Sequence, residues 1–164
     1  MTVRCRRHLF GLMIALIAGG CAVPMGSSQL ETPGTRVWSG RMALDLETDP
    51  PQTFSASFEL KGTVNHGELT LSTPLGNVLA LIQWSPGEAR LRVGGDLEAF
   101  ESVESLTRKV TGAALPLGAL FGWLDGTETH AGGWHADLSR LGQGRLSARR
   151  TSPEPVANLK LIID

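Results

Sequence analysis

The chain has 164 residues, 15 basic and 16 acidic side chains, and a formal net charge of −1. Apart from Arg149-Arg150 and Arg108-Lys109, no basic run occurs beyond the first few residues, so no cationic stripe is present and nucleic-acid binding is not expected. The two cysteines, Cys5 and Cys21, are too few for a disulfide framework, and no apolar run reaches the ~20 residues that a membrane-spanning helix needs.

The first stretch reads as a leader. Arg4, Arg6 and Arg7 precede the apolar run Leu9–Ala18, and the small residues Ala18-Gly19-Gly20 lead to Cys21. This is the pattern of a secretory signal peptide over residues 1–20. A cysteine directly after Gly-Gly resembles a bacterial lipoprotein signal, with Cys21 as the lipid-attachment residue. Ala18 stands where such signals usually carry leucine. An ordinary cleavage nearby, leaving a free thiol, is the alternative. Two or more acyl chains on Cys21 make a firm anchor, since each buried CH₂ contributes ~0.8 kcal/mol. Ala22, rather than Asp, follows the cysteine, which resembles an outer-membrane address. Residues 21–36, rich in Gly, Ser, Pro and Thr, read as a flexible tether. Beyond residue 20 there remain 144 residues, with 12 basic against 16 acidic side chains, enough for one domain over residues 37–164.

From Val37 the hydrophobic period is two. Trp38, Gly40, Met42, Leu44 and Leu46 share one face of a strand that Asp49-Pro50-Pro51 ends. Phe54, Ala56, Phe58 and Leu60 repeat the pattern, and the Gly-rich stretch 61–67 is a turn. Glu68–Ser72 follows, with Leu69 and Leu71 inward. Thr73-Pro74-Leu75-Gly76 is then a turn with a mechanism: Pro74 presets φ and Gly76 tolerates φ > 0. Turn tips face water, and this one carries leucine. Two readings stand for Leu75: a side chain folded back onto its own sheet, or one held out toward something apolar. Asn77–Trp84 and Ala89–Val93 complete five strands in succession, an antiparallel meander.

The period then changes. Val103, Leu106 and Val110 are at helical spacing, with Ser102 as N-cap and Gly112 as stop. Glu104 and Arg108 stand four apart, a pairing distance on a helix. After Pro116, Leu117–Leu124 is apolar almost all round, which predicts burial. It reads as a helix across the open face of the sheet, able to serve as a lid. Trp134–Leu138, Arg145–Thr151 and Ala157–Ile163 read as strands, so the total is roughly eight to eleven strands with two inserted helices.

The inward face gathers Met42, Leu44, Phe54, Phe58, Leu69, Leu71, Leu79, Leu81 and Leu91. Filled core and hollow apolar cavity are equally good readings of these side chains. Leu106, Leu120, Phe121 and Trp123 add an apolar helical side to the same space. Chemistry of an enzymatic kind is hard to place. His130 and His135 lack a cysteine or carboxylate array at metal spacing, Gly142-Gln143-Gly144 lacks a nucleotide-loop context, and no nucleophile elbow occurs. No cofactor and no metal are expected, and Asp45 and Glu47 read as ordinary polar surface.

The order of these pieces resembles the LolB family of outer-membrane lipoprotein receptors. The resemblance is carried by the signal ending at Cys21, Gly40-Arg41-Met42-Ala43, Phe54–Leu60 and Glu68 through Gly76. It continues through Ser102–Gly112, Leu115-Pro116-Leu117 to Asp125-Gly126, Gly133-Trp134 and Asn158 through Asp164. It implies a mainly β fold with inserted α, an unclosed antiparallel barrel whose helices cover an apolar cavity. It also implies a function: accepting acylated lipoproteins from a periplasmic, LolA-like carrier and inserting them into the outer membrane. The projecting loop of the family matches Pro74, Leu75 and Gly76, with Leu75 as the membrane-directed residue. A monomer facing the periplasm is expected. The rival class is a structural or docking lipoprotein with a solid core and no acyl-chain binding.

Overall fold

The computed structural model describes residues 35–164. The expected leader, the lipid-attachment residue Cys21 and the tether as far as residue 34 lie outside the described residues. Strand β1 (Arg36–Glu47) begins at the last position assigned to the tether. It is followed by β2 (Gln52–Gly62), β3 (Gly67–Ser72), β4 (Val78–Ser85), β5 (Glu88–Val93) and β6 (Asp96–Phe100). Then come α1 (Val103–Thr111), α2 (Leu117–Leu124), β7 (Trp134–Asp137), β8 (Arg145–Arg150) and β9 (Val156–Ile163).

All nine strands form one antiparallel sheet in the order β6-β5-β4-β3-β2-β1-β9-β8-β7. Its edges, β6 and β7, do not pair with each other, so the barrel is open. β1 is the hinge of this order, paired on one side with β2 and on the other with β9. Gly40 lies at φ +153°, and a Cβ on it would come 1.9 Å from the Ile162 carbonyl oxygen. Only glycine lets β9 approach so closely.

The alternation read from the sequence sets the inner face. Leu44, Leu46, Ala56, Phe58, Leu60, Leu69, Leu71, Leu159 and Leu161 are buried, while the residues between them are more exposed. Two expectations need correction. The meander has six strands, not five. β6 hides in the sequence because it is short and exposed, following Gly94-Gly95. Leu81 does not face inward. Ser72 pairs with Val78 but Leu71 pairs with Ala80, so Leu79 is an extra, bulged residue. A bulge of one residue reverses the phase of everything after it. Ala80, Ile82 and Trp84 therefore take the inner face, and Leu81 turns out.

The two ends of the sheet differ in content. Toward the β2–β3 and β4–β5 turns the interior is filled by aromatic rings. Phe121 of α2 meets Trp38 and Trp84 edge-on at 5.4 Å and 6.2 Å between centroids, and Trp123 packs on Trp134 at 6.4 Å. Three indole N–H groups are satisfied by carbonyl oxygens: Trp84 by Thr63, Trp123 by Thr129 and Trp134 by Ala114. This end is a packed floor. The opposite end, toward the β1–β2, β3–β4 and β5–β6 turns, is left unfilled: Phe54 and the Trp134 ring, shared with the floor, stand on its wall without closing it.

Helix α1 starts as the sequence indicates. Ser102 and Ser105 form a reciprocal capping box, and Gly112, at φ +78°, closes the C-terminus in the left-handed region. Glu104 does not pair with Arg108. Its carboxylate instead accepts the backbone N–H of Leu117 at 3.1 Å, capping α2, whose own N-cap residue is Pro116. The first helix thus terminates the second, and the favourable dipole interaction of a carboxylate with a helix N-terminus goes to α2.

Candidate functional site

At the unfilled end lies a cavity of about 410 Å³. Its walls come from both halves of the sheet and from α1. Met42, Leu44 and Leu46 of β1, Leu69 and Leu71 of β3, Leu79, Ala80 and Ile82 of β4, and Leu91 and Val93 of β5 line it. Leu106, Val110 and Ala113 close one side. The polar groups on the wall are few: Gln52, Thr53, Thr107 and Thr111. Phe54, Leu79, Val93 and Val110 are each exposed as well as cavity-lining, so the mouth has an apolar rim.

Of the thirteen side chains expected around an apolar cavity, Met42, Leu44, Phe54, Leu69, Leu71, Leu79, Leu91 and Leu106 stand on this wall. The other five do not. Phe58 and Leu120 border a separate void of about 20 Å³, too small to hold more than a water-sized molecule. Phe121 and Trp123 are buried in the aromatic floor, and Leu81 faces outward. Helix α2, read from the sequence as a lid, is part of the floor. The helix beside the cavity is α1. Composition could not separate these roles, because an all-apolar helix looks the same whether it plugs a barrel or covers a hollow. Ala80, Ile82, Val93 and Val110 are wall residues that the sequence reading did not assign. The bulge hid the first two, and the other two were read as ordinary strand and helix positions.

The Thr73–Asn77 turn projects from the same end. Gly76 N–H donates to the Thr73 carbonyl and Thr73 N–H to the Asn77 carbonyl, each at 2.9 Å, while the Thr73 hydroxyl accepts from Asn77 N–H at 3.2 Å. Gly76 has φ +85°, with nothing within 4 Å of where a Cβ would be. Leu75 is 90 % exposed. Of its two readings, folding back onto the sheet is excluded. A stiff, hydrogen-bonded turn holds a bare leucine in solvent.

One buried charge breaks the apolar interior. Arg150 is 3 % exposed, its Nη2 donates to the Pro155 carbonyl at 2.9 Å, and its guanidinium lies 5.8 Å from the Trp134 ring centroid. Burial, with a smaller contribution from Arg108, lowers its pKa. His130 and His135 meet edge-on at 5.1 Å, with Glu128 3.8 Å from His130. Among the described residues no group of three or more His, Cys, Asp or Glu side chains is placed to hold a metal ion.

An open antiparallel barrel with a packed floor, an apolar hollow at the other end and a leucine tip beside its mouth places the chain among the β-folds with an interior able to enclose apolar material. The comparisons with known proteins narrow that class. A family model described as outer membrane lipoprotein LolB matches residues 37–157. An outer-membrane lipoprotein LolB of Chromobacterium violaceum is 32 % identical over 127 residues, covering 73 % of this chain and 68 % of the relative. One from Bordetella petrii is 27 % identical over 175 residues, covering 92 % and 87 %, and one from Halorhodospira halophila 33 % identical over 132 residues, covering 73 % and 64 %. The chain belongs to the LolB family, the outer-membrane lipoproteins of lipoprotein sorting.

Proposed function

We propose that this protein accepts the acyl chains of lipoproteins from a soluble, LolA-like periplasmic carrier into the cavity behind α1, and releases them into the outer membrane at the Leu75 tip. The physical problem is carrying acyl chains through water, where each exposed CH₂ costs about 0.8 kcal/mol. The observation that carries the reading is a hollow of about 410 Å³ with almost wholly apolar walls, in a fold whose other end is tightly filled. A docking lipoprotein with no cargo would gain stability by filling that space, since each void forfeits packing.

Leu75 supplies the direction of release. Burying one leucine in hydrocarbon contributes about 1.5–3 kcal/mol. That is too little to anchor a protein but enough to bias a tethered domain toward the bilayer. In this reading residues 1–20 are a leader that is removed, Cys21 bears the lipid, residues 21–36 are the tether and residues 37–164 handle the cargo. The carrier, the acylated cargo and the outer-membrane lipid are the partners, and the working unit is a monomer.

The test is transfer of a labelled lipoprotein from its periplasmic carrier, through this protein, to membranes. Wild type should take and deliver cargo, and Leu75→Glu should take it but fail to deliver. Equal delivery by both would remove the tip from the mechanism. A wild type that takes no cargo would overturn the acceptor reading in favour of a docking lipoprotein.

A further inference from the structure

A second groove lies on the outer face of the sheet, at the root of the Leu75 tip. Its volume is about 420 Å³, and its lining is polar, in contrast to the cavity inside. Arg41, Ser57 and Ser72 occupy one register row across β1, β2 and β3, and that row ends where the tip begins. Thr70 and Glu59 lie one outward step further along, and Asp164 closes the far side, its backbone N–H bonded to the Ser39 carbonyl at 3.0 Å. Gly76, next to Leu75 in the tip, and Val78, the first residue of β4, line the same groove.

Arg41 is the one cation on the groove lining. Several cations of the sheet are matched, Lys160 with Asp45, Arg149 with Glu47, Lys61 with Glu59, and Arg36 with Asp125, while Arg145, on the same register row across β9, makes no ion pair among the described residues. Arg41 faces Ser57 and Ile162 on its two neighbouring strands and makes no ion pair among the described residues. A guanidinium flanked by hydroxyls is a fork for an anionic oxygen group, and phosphate matches it best. The Asp164 carboxylate gives the same groove a negative side, which an ammonium would complement, while Glu59 is already held by Lys61.

We propose that this groove binds the phosphodiester-plus-ammonium headgroup of a membrane phospholipid, with Arg41 on the phosphate and Asp164 on the ammonium. The proposal rests on the reading that Leu75 enters the bilayer. Depth supports it. Leu75 lies three residues beyond Ser72, no more than about 10 Å of chain, and the headgroup layer on each side of a bilayer is about 5–8 Å thick. With Leu75 in hydrocarbon, the Arg41 row sits at headgroup level. The headgroup contact would fix the orientation of the domain, which a single inserted side chain cannot do.

The test uses the full chain purified from membranes in neutral detergent, followed by amide nuclear magnetic resonance. Soluble glycerophosphoethanolamine should shift Arg41, Ser57 and Ser72 saturably. Arg41→Gln should weaken that binding about tenfold, the loss of one charge-assisted contact, and Asp164→Asn should weaken it against glycerophosphoethanolamine but not against glycerophosphate. Absence of saturable shifts overturns the site. Equal affinity for glycerophosphate and glycerophosphoethanolamine overturns the ammonium half. In nanodiscs of phosphatidylethanolamine carrying a headgroup spin label, the same amides should broaden. If soluble headgroup binds but the nanodisc leaves them sharp, the lipid source is overturned and the groove is a site for free phosphodiesters. Leu75→Glu should abolish the nanodisc effect and spare soluble binding, which separates failure of the tip reading from failure of the groove.

Discussion

Leu75 and Gly40 show how little of a residue's role lies in its identity. Leu75 is as apolar as Leu60, yet one is 90 % and the other 1 % exposed. The difference is set by Pro74, Gly76 and the Thr73 hydroxyl, which close a turn too tight for the leucine to reach the sheet. Because nothing packs on it, Leu75→Glu should leave folding stability within about 0.5 kcal/mol of wild type in urea denaturation, so any transfer defect in that variant is functional. Gly40 is the opposite case. A Cβ there collides with the Ile162 carbonyl, and the backbone angle is unfavourable for any L side chain. Gly40→Ala should cost about 2–4 kcal/mol, read as a lowered urea midpoint with β1–β9 amides losing protection first. The Gly40-Arg41 pair couples a structural demand to a chemical one: the glycine brings β9 against β1, and the next residue points the opposite way, into the outer groove.

Among the elements, α1 carries more than its length suggests. It walls the cavity with Leu106 and Val110, caps α2 through Glu104, and reaches β6 through the Lys109–Glu98 ion pair and the contact of Lys109 with the Phe100 ring. Its N-terminus depends on Ser102. Ser102→Ala should destabilise the domain by about 1 kcal/mol, seen as a shifted denaturation midpoint with an unchanged slope. The helices and most strands were legible in the sequence because their periods and boundary residues are clean: Ser102 and Gly112 around α1, Pro116 ahead of α2, alternation from Trp38 to Leu46. What escaped has specific causes. The bulge at Leu79 is invisible to a count of alternating residues, so Leu81 was assigned to the wrong face. β6 offers no buried alternation to detect. The roles of the two helices could not be told apart, because sequence reports that α2 is buried but not beneath which part of the sheet.

At the scale of the whole molecule, the division between filled and hollow ends governs what substitutions do. Trp123→Ala, in the floor, removes a fully buried ring. Ala80→Phe, on the cavity wall, adds a ring where space exists. It should bind a fluorescent fatty acid about tenfold more weakly than wild type while keeping or raising its thermal midpoint, since filling a void restores contacts. Loss of folding with loss of binding would mean that the wall is already packed. The resemblance to the LolB family was legible from the order of motifs along the chain, and the antiparallel open sheet agrees with it. Whether the inward leucines made a core or a cavity was not legible, because both have the same hydrophobic pattern and differ only in how much the side chains of opposite walls fail to meet. The hollow has a consequence under compression. Water enters and eliminates an internal void when a protein unfolds, so the system shrinks, and pressure favours whichever state is smaller. The empty protein should therefore unfold at lower hydrostatic pressure than the Ala80→Phe variant. An acyl chain lodged in the cavity should raise that threshold further, so resistance to compression reports whether the cavity is occupied.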